Sequence, residues 1–265
     1  MTLRSTILSI LTLLLVSCTV KEERSGCPCR LSVDLSDASA IHGNAVISIW
    51  GNSQMFCSEQ FPITGHQALF SKDVTKCALE VSAIQGLEKN RLAGRNVVIS
   101  EGDDADRVMT FGSEVIADQE QMTVKALFYK NWSTLTVEYE NPGGHDYPFY
   151  FTVSGKINGF DAFSLVPIKG RFRHIATKQA PDKNEFIVNL PRQFNGESGL
   201  TLSVISAKDH KTEKEYDLSE MIAETGYDWT CKNLNDIRIH INYAGMVAGI
   251  EITEWENGSD FSVTI

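Results

Sequence analysis

The chain has 265 residues, with 24 Lys and Arg against 34 Asp and Glu, a formal charge of −10 at pH 7 and 42% hydrophobic residues. This is globular composition, which excludes a disordered chain, and the length allows one large or two small domains with real cores. An acidic balance without a long basic run excludes nucleic acid as the partner, because phosphate binding needs clustered Lys and Arg.

The first element is an apolar run, Ile7 to Val16, broken only by Ser9 and Thr12 and preceded by Arg4. It suits the apolar region of a secretory signal and falls short of the roughly 20 residues a bilayer-spanning helix needs. It closes on Leu15-Val16-Ser17-Cys18, which resembles a bacterial lipobox. The resemblance implies cleavage between Ser17 and Cys18, acylation of the Cys18 thiol and acylation of the new amine by a palmitate-type chain. Residues 1–17 are then a signal peptide and residues 18–29 a lipidated tether. Two or more acyl chains hold a protein stably to a bilayer, at about 0.8 kcal/mol per buried CH₂. Lys21-Glu22-Glu23 is similar to the surface-export signal of Bacteroidia lipoproteins.

Five cysteines follow Cys18: Cys27, Cys29, Cys57, Cys77 and Cys231. In an exported, oxidising setting they are candidates for disulfides. Cys27-Pro28-Cys29 is too closely spaced for an easy mutual bond, so each would reach for a distant partner such as Cys57 or Cys77, and the connectivity stays open. No histidine stands at a zinc spacing, so no metal is expected.

From Arg30 the pattern becomes period two. Leu31, Val33 and Leu35 alternate with Ser32, Asp34 and Ser36, the mark of a strand with one buried face. Further strand-like runs are 45–50, 68–71, 79–84, 96–100, 107–111 and 122–128, separated by turns such as Gly51-Asn52-Ser53. A second series covers 134–139, 148–154, 185–190 and 200–206. One helix is predicted over Leu218–Thr225, with Asp217 as its cap, Glu220 reaching back and Gly226 ending it. Ile237, Ile239, Ile241 and Tyr243 then alternate, as do Ile250 and Ile252. Short strands at regular spacing point to a sandwich or barrel. The changeover between halves falls within 122–135, and no strict repeat is visible.

Chemistry is absent from this pattern. The six histidines are scattered, and neither a His-Glu-x-x-His run nor a Gly-x-Ser-x-Gly elbow is present. Glu101, Asp103, Asp104 and Asp106 could meet calcium but lack the spacing of an EF-hand, and read as a solvated acidic loop. Asn131-Trp132-Ser133 and Asn257-Gly258-Ser259 match the glycosylation pattern without consequence here. Neither a cofactor nor an enzyme is expected.

The lipobox, the charged stub and Arg24-Ser25-Gly26-Cys27-Pro28-Cys29-Arg30-Leu31-Ser32-Val33-Asp34 together resemble the start of the FimB-like anchor fimbrillins of Bacteroidia. Leu218-Ser219-Glu220-Met221-Ile222, Gly226-Tyr227-Asp228-Trp229 and Leu234-Asn235-Asp236-Ile237, leading to Trp255, are similar to that family's last segment. The resemblance implies an all-β fold of two tandem transthyretin-like β-sandwich domains, 30–125 and 126–265, with one short helix in the second. It implies a lipid-anchored place at the base of a type V fimbria, exposed on the outer membrane, with fimbrial stalk subunits and membrane lipid as partners. Stalk subunits of such fibres lose their first strand to an Arg-specific protease and accept a neighbour's strand in the groove. An anchor keeps its first strand, here built on Leu31, Val33 and Leu35, because cutting at Arg24 or Arg30 would separate body from lipid.

The last residues, Phe261-Ser262-Val263-Thr264-Ile265, alternate apolar and hydroxyl side chains over about 17 Å. Phe261, Val263 and Ile265 make this a candidate donor strand for the first stalk subunit; it reads equally as the last strand of its own domain. A competing reading is a surface lipoprotein that binds glycan or a host ligand, with the aromatic run Tyr147–Phe151 and the four tryptophans as sugar platforms. A glycosidase needs a carboxylate pair that nothing in the sequence singles out.

Overall fold

The structure, a computed structural model, describes residues 26–38, 43–63, 68–140, 148–179, 184–196, 198–242, 247–256 and 259–264. The expected signal and the Ser17–Cys18 site lie outside the described residues, as do Tyr147, Tyr243, Asn257 and Ile265. Among the described residues the fold is all-β with one short helix. Among the described residues no helix is long and apolar enough to cross a membrane.

Ten strands make the first half: β1 (Cys29–Asp34), β2 (Asn44–Gly51), β3 (Gln54–Pro62), β4 (Leu69–Val74), β5 (Ala78–Gln85), β6 (Arg91–Ala93), β7 (Asn96–Val98), β8 (Met109–Ile116), β9 (Gln121–Lys125) and β10 (Tyr129–Lys130). The sheet β4-β1-β9 lies on the sheet β10-β8-β5-β2-β3. Leu31, Val33 and Leu35 from the first meet Ile47, Ile49 and Val81 from the second, all fully buried. The predicted turn at Gly51-Asn52-Ser53 joins β2 to β3 with Asn52 and Ser53 at φ of 50° and 62°, the left-handed pair that suits a tight hairpin.

The second half holds β11 (Trp132–Tyr139), β12 (Phe149–Asp161), β13 (Pro167–Ile175), β14 (Thr177–Lys178), β15 (Glu185–Pro191), β16 (Thr201–Ser206), β17 (Thr212–Asp217), α1 (Leu218–Glu224), β18 (Asp236–Ile241), β19 (Val247–Glu256) and β20 (Ser259–Thr264). The sheet β14-β15-β11-β18-β19-β20 covers β17-β16-β12-β7-β6, with β13 paired to β12. Leu135, Val137 and Ile239 pack against Phe151, Val153 and Leu202 between them. Asp217 accepts the Glu220 N–H at 3.1 Å, so the forward half of the predicted cap forms, and Gly226 ends the helix at φ +76°.

One pairing pattern occurs twice. β1 runs antiparallel to β4 and parallel to β9; β11 runs antiparallel to β15 and parallel to β18. β2 lies between β3 and β5 with β8 beyond, and β12 lies between β13 and β16 with β17 beyond. The repeat is one of topology, which explains why residue identities do not display it: alternation fixes which face is buried, not which apolar residue sits there.

The halves are interlocked. Ala126 and Phe128 belong to the first core and Trp132 to the second. The hairpin β6–β7 nevertheless extends a sheet of the second half, through Val97↔Phe160 and Val98↔Gly159. There Gly159 lies so close that a Cβ on it would sit 2.0 Å from the Val97 carbonyl oxygen. Ile84, Val97, Val108, Phe160 and Ala162 form a small third cluster at this seam.

The acidic loop corrects its sequence reading. Asp104 and Asp106 are buried, not solvated. Asp106 accepts the backbone N–H groups of Glu88 (2.8 Å), Lys89 (2.9 Å) and Asn90 (2.7 Å). Asp104 accepts from the backbone and side-chain amide of Asn189, both at 3.1 Å, and from the Lys89 ammonium. Asp106 ties the first half to itself, and Asp104 joins the halves. Burial alone would raise the Asp104 carboxyl, but the Lys89 and Asn189 hydrogen bonds hold it below the ordinary carboxylate value.

Candidate functional site: the first strand and the terminal edge

β1 begins at Cys29, the last residue of the expected tether. Cys29, Leu31, Val33 and Leu35 are each fully buried. At about 1.5–3 kcal/mol per large apolar side chain, this strand is a principal contributor to the first core. Both of its backbone edges are occupied: Cys29↔Val74 to Asp34↔Leu69 on one side, Arg30↔Gln121 to Asp34↔Lys125 on the other. Ser32 and Ser71 hydroxyls meet at 2.9 Å, and Arg30 pairs with Asp73 at 3.3 Å with both side chains exposed. Beyond the strand, Asp37 accepts the Phe128 N–H at 3.1 Å. Lifting out residues 29–34 would leave β4 and β9 facing each other across an empty slot about 20 Å long.

β20 is the opposite case. It pairs antiparallel with β19 from Glu251↔Thr264 to Glu256↔Ser259 and lies at the end of its sheet. The stretch carrying Phe261 and Val263 is thus the last strand of its own sheet, and its outer side faces no further strand among the described residues. Ile265 and the side chains of Phe261 and Val263 lie outside what is described.

Cys27, Cys29, Cys57 and Cys77, the candidates for pairing, are all free thiols, as is Cys231. Cys29 and Cys57 are buried, and burial raises both thiols above their ordinary value. Cys27 is exposed beside the tether. Among the described residues no group of His, Cys, Asp and Glu is arranged to hold a metal ion.

The Gly226–Trp229 motif builds a loop against the second core. The Tyr227 hydroxyl donates to the Asn235 carbonyl at 2.8 Å, and the Tyr227 and Trp229 rings lie 4.6 Å apart. Asn195 and Thr230 hydrogen bonds bring the Asp228 carboxyl down to about 2. A residue that no local pattern singles out holds this loop: Arg192, 4% exposed, donates to Asn131 Oδ1 (2.7 Å) and to the carbonyls of Trp229 (2.5 Å), Cys231 (2.8 Å) and Lys232 (3.1 Å). Lys130, 1% exposed, likewise reaches Asp236 at 2.5 Å and lies over the Trp132 ring. Asn131 therefore belongs to the interior, which rules out its glycosylation pattern as a surface acceptor. Of the aromatic run, Phe151 is a core residue packed on Phe186 with ring centroids 4.8 Å apart, and Tyr150 lies against His210. Trp50 is engaged by the Arg95 guanidinium at 5.7 Å, and Arg95 is itself paired with Glu80 and Asp161.

No family model matches the sequence, and no curated protein sequence matches it significantly. Solved structures match over nearly the whole chain. The fimbrial anchor protein Mfa2 from Porphyromonas gingivalis is similar with a TM-score of 0.62 and 13% identity, over 88% of this chain and 99% of that one. A Bacteroides thetaiotaomicron protein described as a candidate polysaccharide-binding protein gives 0.63 and 11%, over 89% and 98%. A candidate adhesin from Bacteroides ovatus gives 0.57 and 9%, over 89% and 95%. At such identities the likeness is one of fold.

Proposed function

We propose that this chain is the lipid-anchored base or assembly subunit of a cell-surface fimbria, built of two tandem transthyretin-like β-sandwich domains, 30–125 and 126–265. The observation that carries the reading is the pairing of a fold like that of a fimbrial anchor, along almost the full length of both chains, with Leu15-Val16-Ser17-Cys18 ahead of it. Acyl chains on Cys18 fix the tether in the outer membrane, and the body faces outward. The load then passes from the tether into β1, which is bonded on both edges and packed through three fully buried side chains, with Leu35 buried just beyond it. A strand so placed resists extraction, as an anchoring point must. Stalk subunits join at the far end by strand addition along β20, whose main chain supplies the hydrogen bonds.

The test is made on cells. Deleting the gene is expected to release fibres into the medium or to leave them overlong, and Cys18→Ala is expected to give soluble protein and detached fibres. Fibres that stay attached and unchanged in both strains refute the proposal. Deletion of 259–265 addresses the joining step: an intact body with lost fibre attachment supports strand addition, while retained attachment refutes it.

A further inference from the structure

The outer face of the second half's β12–β13 sheet carries a positive strip on an otherwise acidic chain. Lys169, Arg171 and Arg173 alternate along β13 and are exposed, while Phe172 between them is buried in the core. Alternate residues of a strand are about 6.6 Å apart on one face, so the three charges form a row. The β12–β13 register shifts between Gly155 and Ile157, and this irregularity places exposed Lys156 opposite the Gly170-Arg171 stretch. Arg171 meets Glu101 at 3.2 Å with both side chains well exposed, a pairing worth little. The side chains of Lys156 and Arg173 make no ion pair among the described residues. Lys169 lies over the Phe194 ring at 6.0 Å, and neighbouring like charges on a sheet face cost stability.

Two adjoining grooves run along the strip, of about 840 and 430 Å³. Lys156 and Arg171 line both, as do Gly155 and Gly199, and the Lys156 side chain lies across Gly199. The smaller groove is walled by the hydroxyls of Thr152, Ser154, Ser203 and Thr212, with Glu215, which accepts from Ser203 at 3.4 Å, at its rim, and Asp217 lines the larger one, so the cations outnumber the carboxylates along the strip. Thr152 is 3% exposed and its Oγ has no hydrogen-bond partner, an uncommon state for a buried hydroxyl. Cations in a row beside hydroxyls, on an open and elongated surface, match a chain of sugar rings bearing carboxylate or sulfate groups. A neutral glycan would leave the charges unused. A nucleic acid would call for exposed stacking aromatics, and the aromatic that lines these grooves, Phe172, is buried in the core.

We propose that the β12–β13 face is a binding site for an acidic polysaccharide, held by Lys156, Lys169, Arg171 and Arg173 and positioned by the hydroxyl-lined groove. This site is independent of the anchoring role. The soluble body, residues 19–265, is titrated with heparin, with polygalacturonate and with uncharged dextran at low and raised salt. Binding of at least one of the two polyanions, weakened by salt, with none of dextran, is expected. Lys156→Glu combined with Arg173→Glu is expected to weaken that binding at least about tenfold with an unchanged melting curve. The same charge change made elsewhere, Arg30→Glu with Lys125→Glu, is expected to alter it less than about twofold. The proposal is overturned if neither polyanion binds, if dextran binds as well, or if the two double variants weaken binding equally.

Discussion

The two halves of this molecule run the same strand pairing to different ends. In the first, β9 closes the smaller sheet, and a four-residue turn after β8 suffices to reach it. In the second, the strand equivalent to β9 is β18, and the chain reaches it through α1 and the Tyr227–Trp229 loop before adding β19 and β20 beyond. The common part is what a seven-strand sandwich needs to close. The additions are where the halves differ: the first half opens directly on its central strand, β1, and the second presents a fresh sheet edge at β20.

The sharpest break of this comparison is made at the equivalent central strands. Leu31 in β1 and Leu135 in β11 are both fully buried. Leu31→Ala and Leu135→Ala are each expected to cost about 3 kcal/mol, by the usual range for a buried leucine. Because the two side chains lie in separate cores, the double variant should lose the sum within about 0.5 kcal/mol. Urea unfolding of the soluble body measures this; a double variant no worse than either single one would mean that the halves share a single core.

Next comes the joint between them. Asp104→Ala orphans the Asn189 amide groups and the Lys89 ammonium, and is expected to cost about 2–3 kcal/mol at neutral pH. It should also move the unfolding of the two halves further apart. The sign with pH follows from the lowered carboxyl. A folded-state value below the unfolded one gives stability that is fully present above about pH 4 and is lost as pH falls through the folded value. The gap between parent and variant should therefore narrow in acid. A gap that widens there contradicts the assigned hydrogen bonds.

How much of this was legible in the sequence follows the same contrast between centre and edge. β1, β2, β5, β11, β16 and β18 are flanked on both sides, need an apolar face, and announce themselves by alternation. β3, β13 and β17 went unread. Each is bonded on one side, and each carries Glu, Lys or Arg, as edge strands do to avoid pairing with other chains. The positive row on β13 was hidden for the same reason, since a strand unseen has no faces to compare. Asp104 and Asp106 read as solvated because burial of a carboxylate depends on backbone N–H groups supplied from elsewhere in the chain, which local sequence does not display. Arg192 is similar: its partners lie on loops that only the fold brings together.

The smallest expected effect concerns α1, which among the described residues belongs to the second half alone. Asp217→Ala removes the side-chain oxygen that accepts the Glu220 N–H, a loss of about 1 kcal/mol for an N-cap. Leu218 and Ile222 fix α1 to the second core, so the helix should stay docked and the loss should appear in that half alone. Hydrogen exchange resolves the two halves: faster exchange is expected across α1 and β16, which bonds to the helix start through the Leu200 carbonyl and the Ser219 N–H at 3.2 Å. The β1, β4 and β9 amides should be unaffected. Faster exchange in those first-half strands would mean that the cap's contribution spreads through the seam, and that the two sandwiches unfold as one cooperative body.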